Sequence, residues 1–187
     1  MSSLPLSRQE LSSECHSGFE PEYLFFWGHT HSAGAPAGPW CLSQWAPIPF
    51  SAAGVTYATA EHYMMAGKAR LFGDDEMLLR ILAAESPAAA KALGRKVRGF
   101  VEESWNAHGF DIVVAGNVAK FGSSDELRDF LLSTGDKVLV EAAPRDRVWG
   151  IGLGKDNPKA RHPDTWRGRN LLGFALMKAR SILARGA

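Results

Sequence analysis

Glu61 and Lys68 stand seven residues apart in the stretch ATAEHYMMAGKARLF, residues 58–72. In an α-helix that spacing falls within roughly 20° of two full turns and covers about 10 Å along the axis. A carboxylate and an amine therefore share the face that also carries Met65 and Phe72. A lysine stem extends back toward the helix N-terminus, so both groups can serve one pocket. A carboxyl acid/base beside a lysine whose proton affinity is lowered by burial suits attack at a carbonyl or anomeric carbon. Taken singly, each residue has a plainer reading. A carboxylate in a first helical turn satisfies the macrodipole, and a helical lysine is ordinarily solvated.

A second carboxylate, Asp146, lies between Arg145 and Arg147 and just before Trp149 and Gly150. It reads either as a surface ion pair in a turn or as a ribose-hydroxyl ligand or second acid, with the arginines taking phosphates. Trp105 follows Glu102 and Glu103 on an expected helix and is either a core residue or a ring on which a base stacks. Residues 143–169 have no periodicity but hold Trp149 and Trp166, with seven Arg or Lys against three Asp. Structureless loops of that length are functional or disordered; the tryptophans argue against disorder, which leaves either a solvated surface loop or an ordered basic loop lining a site for an anionic ligand. WGIGLGK, residues 149–155, is neither a dinucleotide fingerprint nor a P-loop; its glycines serve close backbone approach. His29 and His31 lack further ligands at useful spacing, so no metal site is expected. Cys41 reads as a small buried residue.

The elements that must position these residues follow from local signals. EYLFFWG, from Glu22, is a short aromatic strand ended by Gly28, and residues 40–57 suggest a second, irregular β segment. Helices are expected from an N-cap at Thr59 to about Phe72, after the Gly-Asp-Asp at 73–75, from Ser86-Pro87, over about 102–120, and from Ser123 to Gly135. KVLVEA, from Lys137, is a strand, and a final helix runs from about Asn170 to Leu183. The sum is a mainly helical α+β fold with few strands. Residues 1–21, polar and Ser-rich, read as a flexible tail, and 22–187 as one domain. The net charge of +1 excludes a strongly basic nucleic-acid binder as the default. Two cysteines make neither a disulfide framework nor a zinc motif, which favours a reduced, cytoplasmic protein. No signal peptide and no membrane span is expected.

TAEHYMMAGKA, ALGRKVRGF, Trp105, VAKFGSSDELRDFLLSTGDKVLVEA, DRVWGIGLG and WRGRNLLGFALMKAR occur here in one order. Together, from about Tyr23 to Leu183, they resemble the NADAR family, also described as YbiA-like. The resemblance implies a compact, mainly helical YbiA-like domain with N-glycosidase activity and no cofactor. It implies that Glu61 is the catalytic carboxylate, that Lys68 acts covalently through a Schiff base with ring-opened ribose, and that Asp146 is the other acid. Trp105 becomes a stacking position and Trp149 a substrate contact. Arg95, Lys120, Arg147, Gly150 and Asn170, at a helix N-terminus, become contacts for the substrate and its phosphates. Gln44 and Trp45 depart from the common family sequence beside the first strands, and Gln44 is expected to touch the base. The expected substrate is ADP-ribosylated guanine in DNA or RNA, with functional pairing to an ADP-ribosyltransferase toxin. The alternatives are a hydrolase of phosphoribosylaminopyrimidine intermediates of riboflavin synthesis and a module that binds ADP-ribose or NAD without cleaving it.

Overall fold

Side-chain caps set the helical part of the chain in a computed structural model that describes residues 5–186. The Thr59 hydroxyl accepts the His62 N–H and opens α2, Ala60–Leu71. Asp74 caps α3, Asp75–Leu82. Ser86 caps α4, Pro87–Gly94, with proline at its first position. The long α5, Glu102–Phe121, needs no side-chain cap. The next cap falls one residue later than the sequence suggests. The Ser123 hydroxyl donates to the Lys120 carbonyl and closes α5, which leaves Ser124 to cap α6, Asp125–Ser133. The last helix, α7, spans Leu171–Arg185.

Four short strands complete the fold. β1, Tyr23–Phe26, pairs in parallel with β4, Val138–Glu141, so that Phe26 stands opposite Glu141. β2, Phe50–Ala52, and β3, Val55–Tyr57, form a hairpin. Ala53 and Gly54 take the positive φ angles that a tight two-residue turn requires. The expected irregular β segment is in part a 3-10 turn, Pro39–Leu42, ahead of that hairpin.

The core forms where α5 packs against α2 and α7, and where α7 lies on β4. Close approach is written into particular glycines. A Cβ on Gly116 of α5 would stand 2.6 Å from the Tyr63 ring of α2. A Cβ on Gly173 of α7 would stand 2.0 Å from the Leu139 carbonyl of β4, an atom that cannot swing aside. Helix propensity alone would make Gly173→Ala stabilising by about 1 kcal/mol. The overpacking outweighs it, and the variant should lose about 2–3 kcal/mol. A urea denaturation midpoint that falls with an unchanged slope would show it.

The amino-terminal segment departs from the expected tail, whose first four residues lie outside the described ones. Residues Arg8–His16 form a helix, α1. Leu11 is fully buried in the core. The Arg8 guanidinium donates to the carbonyls of Pro163 and Asp164, both at 2.9 Å. A single well-placed leucine and side-chain bonds to a distant loop hold this helix, which its polar composition does not advertise. No helix among the described residues is long and apolar enough to cross a membrane.

Candidate active site

Glu61 sits in the first turn of α2, where its N–H donates to the Gln44 carbonyl at 3.0 Å. The side chain is nearly sealed from solvent at 4% exposure. Trp45 Nε1 donates to its Oε2 at 3.3 Å. Burial raises the proton affinity of this carboxyl, and Asp146 adds to the rise; Lys91, the Trp45 bond and Arg95 oppose it. Lys91 and Arg95 lie four residues apart on and just after α4, with the Lys91 ammonium 5.9 Å from the Trp45 ring.

Lys120 fixes the segment that carries Gln44 and Trp45. It has no exposed surface, and its ammonium donates to the carbonyls of Cys41 and Ser43, the latter at 2.9 Å. Burial pulls its pKa down to about 7. The expectation that Lys120 holds phosphate is therefore corrected: its donors are spent inside the protein. The Gln44 side chain turns inward as well, accepting from Asn117 Nδ2 at 3.1 Å, so its part in the site is played by its backbone. That differs from the expected contact with the base.

The long loop, residues 142–170, is ordered by its own hydrogen bonds. Ile151 N–H donates to the Glu141 carbonyl, Arg167 N–H to Ile151, Asn170 N–H to Gly150 and Leu172 N–H to Trp149. Two 3-10 turns, Pro158–Arg161 and Pro163–Thr165, fill its middle. Asp146 Oδ1 accepts the N–H groups of Val148 at 2.9 Å and Trp149 at 2.7 Å, a side-chain-closed turn that fixes Trp149. Gly150 crosses the strand end so closely that a Cβ would stand 2.9 Å from the Glu141 carbonyl and 3.2 Å from that of Asp146. Asn170, in the left-handed conformation at φ 56°, does not wait for phosphate. It accepts the Glu141 N–H and donates to the Leu139 carbonyl, both at 2.9 Å, and so ties α7 to β4. That expectation is corrected too.

Glu141 was not singled out by sequence, although an acid closing an apolar strand is a visible signal. Its Oε2 is buried without a hydrogen-bond partner. Burial first, then the Asp146 charge, pushes its pKa up to about 8; Lys91 pulls against them, and Glu61 adds to the rise. The charges of Asp146, Lys91 and Glu61 thus all reach Glu141. Among the described residues, no three carboxylate, imidazole or thiolate groups are placed to hold a metal ion. The folded pKa of about 8 stands above the ordinary value of 4.5, so the native state holds the extra proton between them. Its stabilisation is full below pH 4.5 and is lost as pH rises through 8. Between pH 5 and 9 the wild type should therefore lose on the order of 2–4 kcal/mol of stability relative to Glu141→Gln, read as the difference between their melting curves, because Glu61, Lys68 and Lys120 titrate in both proteins.

Lys68 stands about two turns further along α2, on the same side of the helix. Its ammonium lies 4.1 Å from the Phe100 ring centre and 5.6 Å from that of Trp105, and burial lowers its pKa. Phe100 is set by an edge contact with Phe72 and by its neighbour Arg98, whose guanidinium meets Asp74 at 2.7 Å. Trp105 also lines a groove of about 210 Å3, together with Asn106, Phe110, Trp149 and Arg169. The ion pairs found among the described residues include neither Glu61 nor Lys68. Trp105, near Lys68, and Trp149, whose N–H is held by Asp146, line the same groove, and the Asp146 charge reaches Glu61.

The structure thus sets the charges of Asp146 and Arg95 within reach of Glu61, places Trp105 and Trp149 on the groove wall, and holds the Lys68 ammonium 5.6 Å from the Trp105 ring. Arg147 is exposed on the loop rim, where its carbonyl receives the Arg169 N–H at 3.1 Å. Lys91, Phe100 and Arg169 are further members. Lys91 was legible only through its four-residue spacing from Arg95.

The NADAR domain family model matches residues 25–184. An N-glycosidase of Acanthamoeba polyphaga mimivirus is 42% identical over 164 residues, 85% of this chain and 95% of that protein. N-glycosidase YbiA of Escherichia coli (strain K12) is 32% identical over 143 residues, 76% of this chain and 81% of its own. The NMR structure of the E. coli protein YbiA superposes with a TM-score of 0.70 at 27% identity, covering 90% of this chain and 88% of that one. Matched over nearly its whole length and sharing its fold with YbiA, the chain belongs to the NADAR family, with glycosidase-type hydrolysis as the activity that its relatives support.

Proposed function

We propose that this protein is an N-glycosidase that cleaves the bond between ribose C1 and a base nitrogen, removing ADP-ribose from ADP-ribosylated guanine in nucleic acid. One arrangement carries the reading: a sealed carboxyl of raised proton affinity, Glu61, shares helix α2 with a half-buried amine, Lys68, whose ammonium lies 5.6 Å from Trp105 on the wall of a groove that also holds Trp149. The neutral Lys68 amine attacks C1 as the C1–N bond breaks. The Glu61 carboxylic acid gives its proton to the leaving nitrogen, and the resulting carboxylate takes one from the newly bonded Lys68 nitrogen. Ring opening gives a Schiff base. Addition of water then releases ADP-ribose and restores the amine. Lys91 and Arg95 supply positive charge for the diphosphate, and Trp105 and Trp149 seat a ring. The reaction that furnishes this substrate is an ADP-ribosyl transfer onto guanine, so the fitting partner is an ADP-ribosyltransferase.

The test is incubation with an ADP-ribosylated guanine oligonucleotide, followed by borohydride and intact mass. Release of ADP-ribose with an adduct on the protein is the expected result. Release without an adduct keeps the glycosidase and assigns the attack to water activated by Glu61. No release, with turnover of a phosphoribosylaminopyrimidine that ADP-ribose does not inhibit, would replace this substrate with the riboflavin-type intermediate. Affinity for ADP-ribose with no product from either substrate would make the domain a binding module.

A further inference from the structure

The groove between Trp105 and Trp149 is not closed by the family-matched part of the chain alone. Leu6 forms part of its wall, opposite residues from α5 and the long loop. Leu6 lies well outside the stretch matched by the family, residues 25–184. Its position is fixed rather than incidental. The Leu6 N–H donates to Glu10 Oε2 at 2.9 Å, and the Ser7 hydroxyl accepts the Glu10 N–H at 3.1 Å. This reciprocal cap sets the angle at which the chain enters α1. The helix is anchored by buried Leu11, by Arg8 on the carbonyls of Pro163 and Asp164, and by His16 at 3.1 Å from the Asp164 carboxylate. The same loop that α1 grips carries Asp146, Trp149 and Arg169.

We infer that the amino-terminal segment, residues 5–17, is the specificity wall of the substrate groove, with Leu6 limiting the size of the ring that sits between Trp105 and Trp149. The inference rests on the proposed reading of that groove as part of the substrate site. The occupant it fits is the purine base. A space of about 210 Å3 is below the roughly 300–1,000 Å3 that encloses a whole drug-sized ligand, and so takes one ring system rather than a nucleotide. Indoles offer faces for stacking, and Leu6, Val148 and Phe110 offer apolar edges. Arg169 and Asn106 supply the polar groups, and a guanidinium forks onto the O6 and N7 acceptors of guanine. A second groove, of about 480 Å3, shares Arg169 with the first and runs along Ser7, Arg8 and Ser12 of the same segment. The amino-terminal segment therefore borders both.

Leu6 is only partly buried, so its variants should fold, which unchanged thermal unfolding will verify. With the ADP-ribosylated guanine oligonucleotide as substrate, Leu6→Trp should raise KM at least about tenfold and leave kcat within about threefold, since it crowds the base without touching the reacting atoms. Quenching of intrinsic tryptophan fluorescence by GMP provides a readout independent of turnover, and Leu6→Trp should weaken that binding by a similar factor. Trp105→Ala is the companion variant. If it raises KM and weakens GMP binding while Leu6→Trp changes neither, the wall is refuted and the groove reading stands. If Trp105→Ala also changes neither, the groove lies outside the substrate site and both fall. Loss of kcat alone in Leu6→Trp would likewise overturn a role in specificity.

Discussion

Replacing Glu61 with glutamine should lower kcat about a thousandfold or more and leave the fold intact. The Gln side chain keeps the shape and can still accept the Trp45 indole N–H that now meets Glu61 Oε2 at 3.3 Å. What it lacks is the proton. Positioned acid–base groups contribute about 100- to 10,000-fold, and in the proposed mechanism one group serves both the leaving nitrogen and the return of the proton. Burial helps by holding the acid form at higher pH than an ordinary carboxyl, against the opposing pull of Lys91 and Arg95. Removing Lys91 should therefore make Glu61 harder to ionise, moving the alkaline limb of the pH profile upward. Steady-state kinetics with a melting curve alongside decides the matter; a folded Glu61→Gln protein with full turnover would remove Glu61 from the chemistry.

Lys68→Met is expected to abolish the borohydride-trapped adduct and to lower kcat by about a hundredfold or more, with the Tm unchanged or raised. Methionine fills the space beside Phe100 and Trp105 without an amine, and the desolvation that lowers the Lys68 pKa disappears with it. The sign on stability follows from that pKa. A base whose folded pKa lies below its unfolded one costs stability at neutral pH, because the unfolded chain binds the proton more readily. Loss of the adduct with turnover preserved would show an electrostatic Lys68 and a water nucleophile. The two variants separate the roles: Glu61→Gln should still form adduct slowly, whereas Lys68→Met forms none.

The parts of the fold legible in the sequence were those with local chemistry. Thr59, and Ser86 before Pro87, announce helix starts because a cap is a short-range hydrogen bond. The Glu61/Lys68 face and the ordered loop with Trp149 follow from spacing and composition. Other features depend on partners far along the chain. Lys120 looks solvent-facing by type, yet Cys41 and Ser43, nearly eighty positions earlier, wrap over it. Asn170 looks like a free helix start, but β4 takes both ends of its amide. Helix α1 carried a readable signal in Ser7 and Glu10, three residues apart as in a capping box. Its polar surface concealed it, because one leucine does the anchoring. Glu141 became visible as a titrating group only when Asp146 and Glu61 were folded against it.

The parallel pairing of β1 with β4 has a consequence for how the chain is made. Tyr23 finds Val138, a partner that leaves the ribosome ~115 residues later, or roughly 6–20 s at ordinary rates of synthesis. Through that interval the aromatic YLFF segment has an unsatisfied strand edge, the kind of surface that chaperones cover and that aggregation exploits. Helix α2, with Glu61 and Lys68, is synthesised early, but the proposed site is complete only when the loop behind β4 brings Val148, Trp149 and Arg169 to the groove. A chain ending at residue 137 should be cut readily within residues 23–27 in pulse proteolysis and show no turnover, while the complete chain resists at that position.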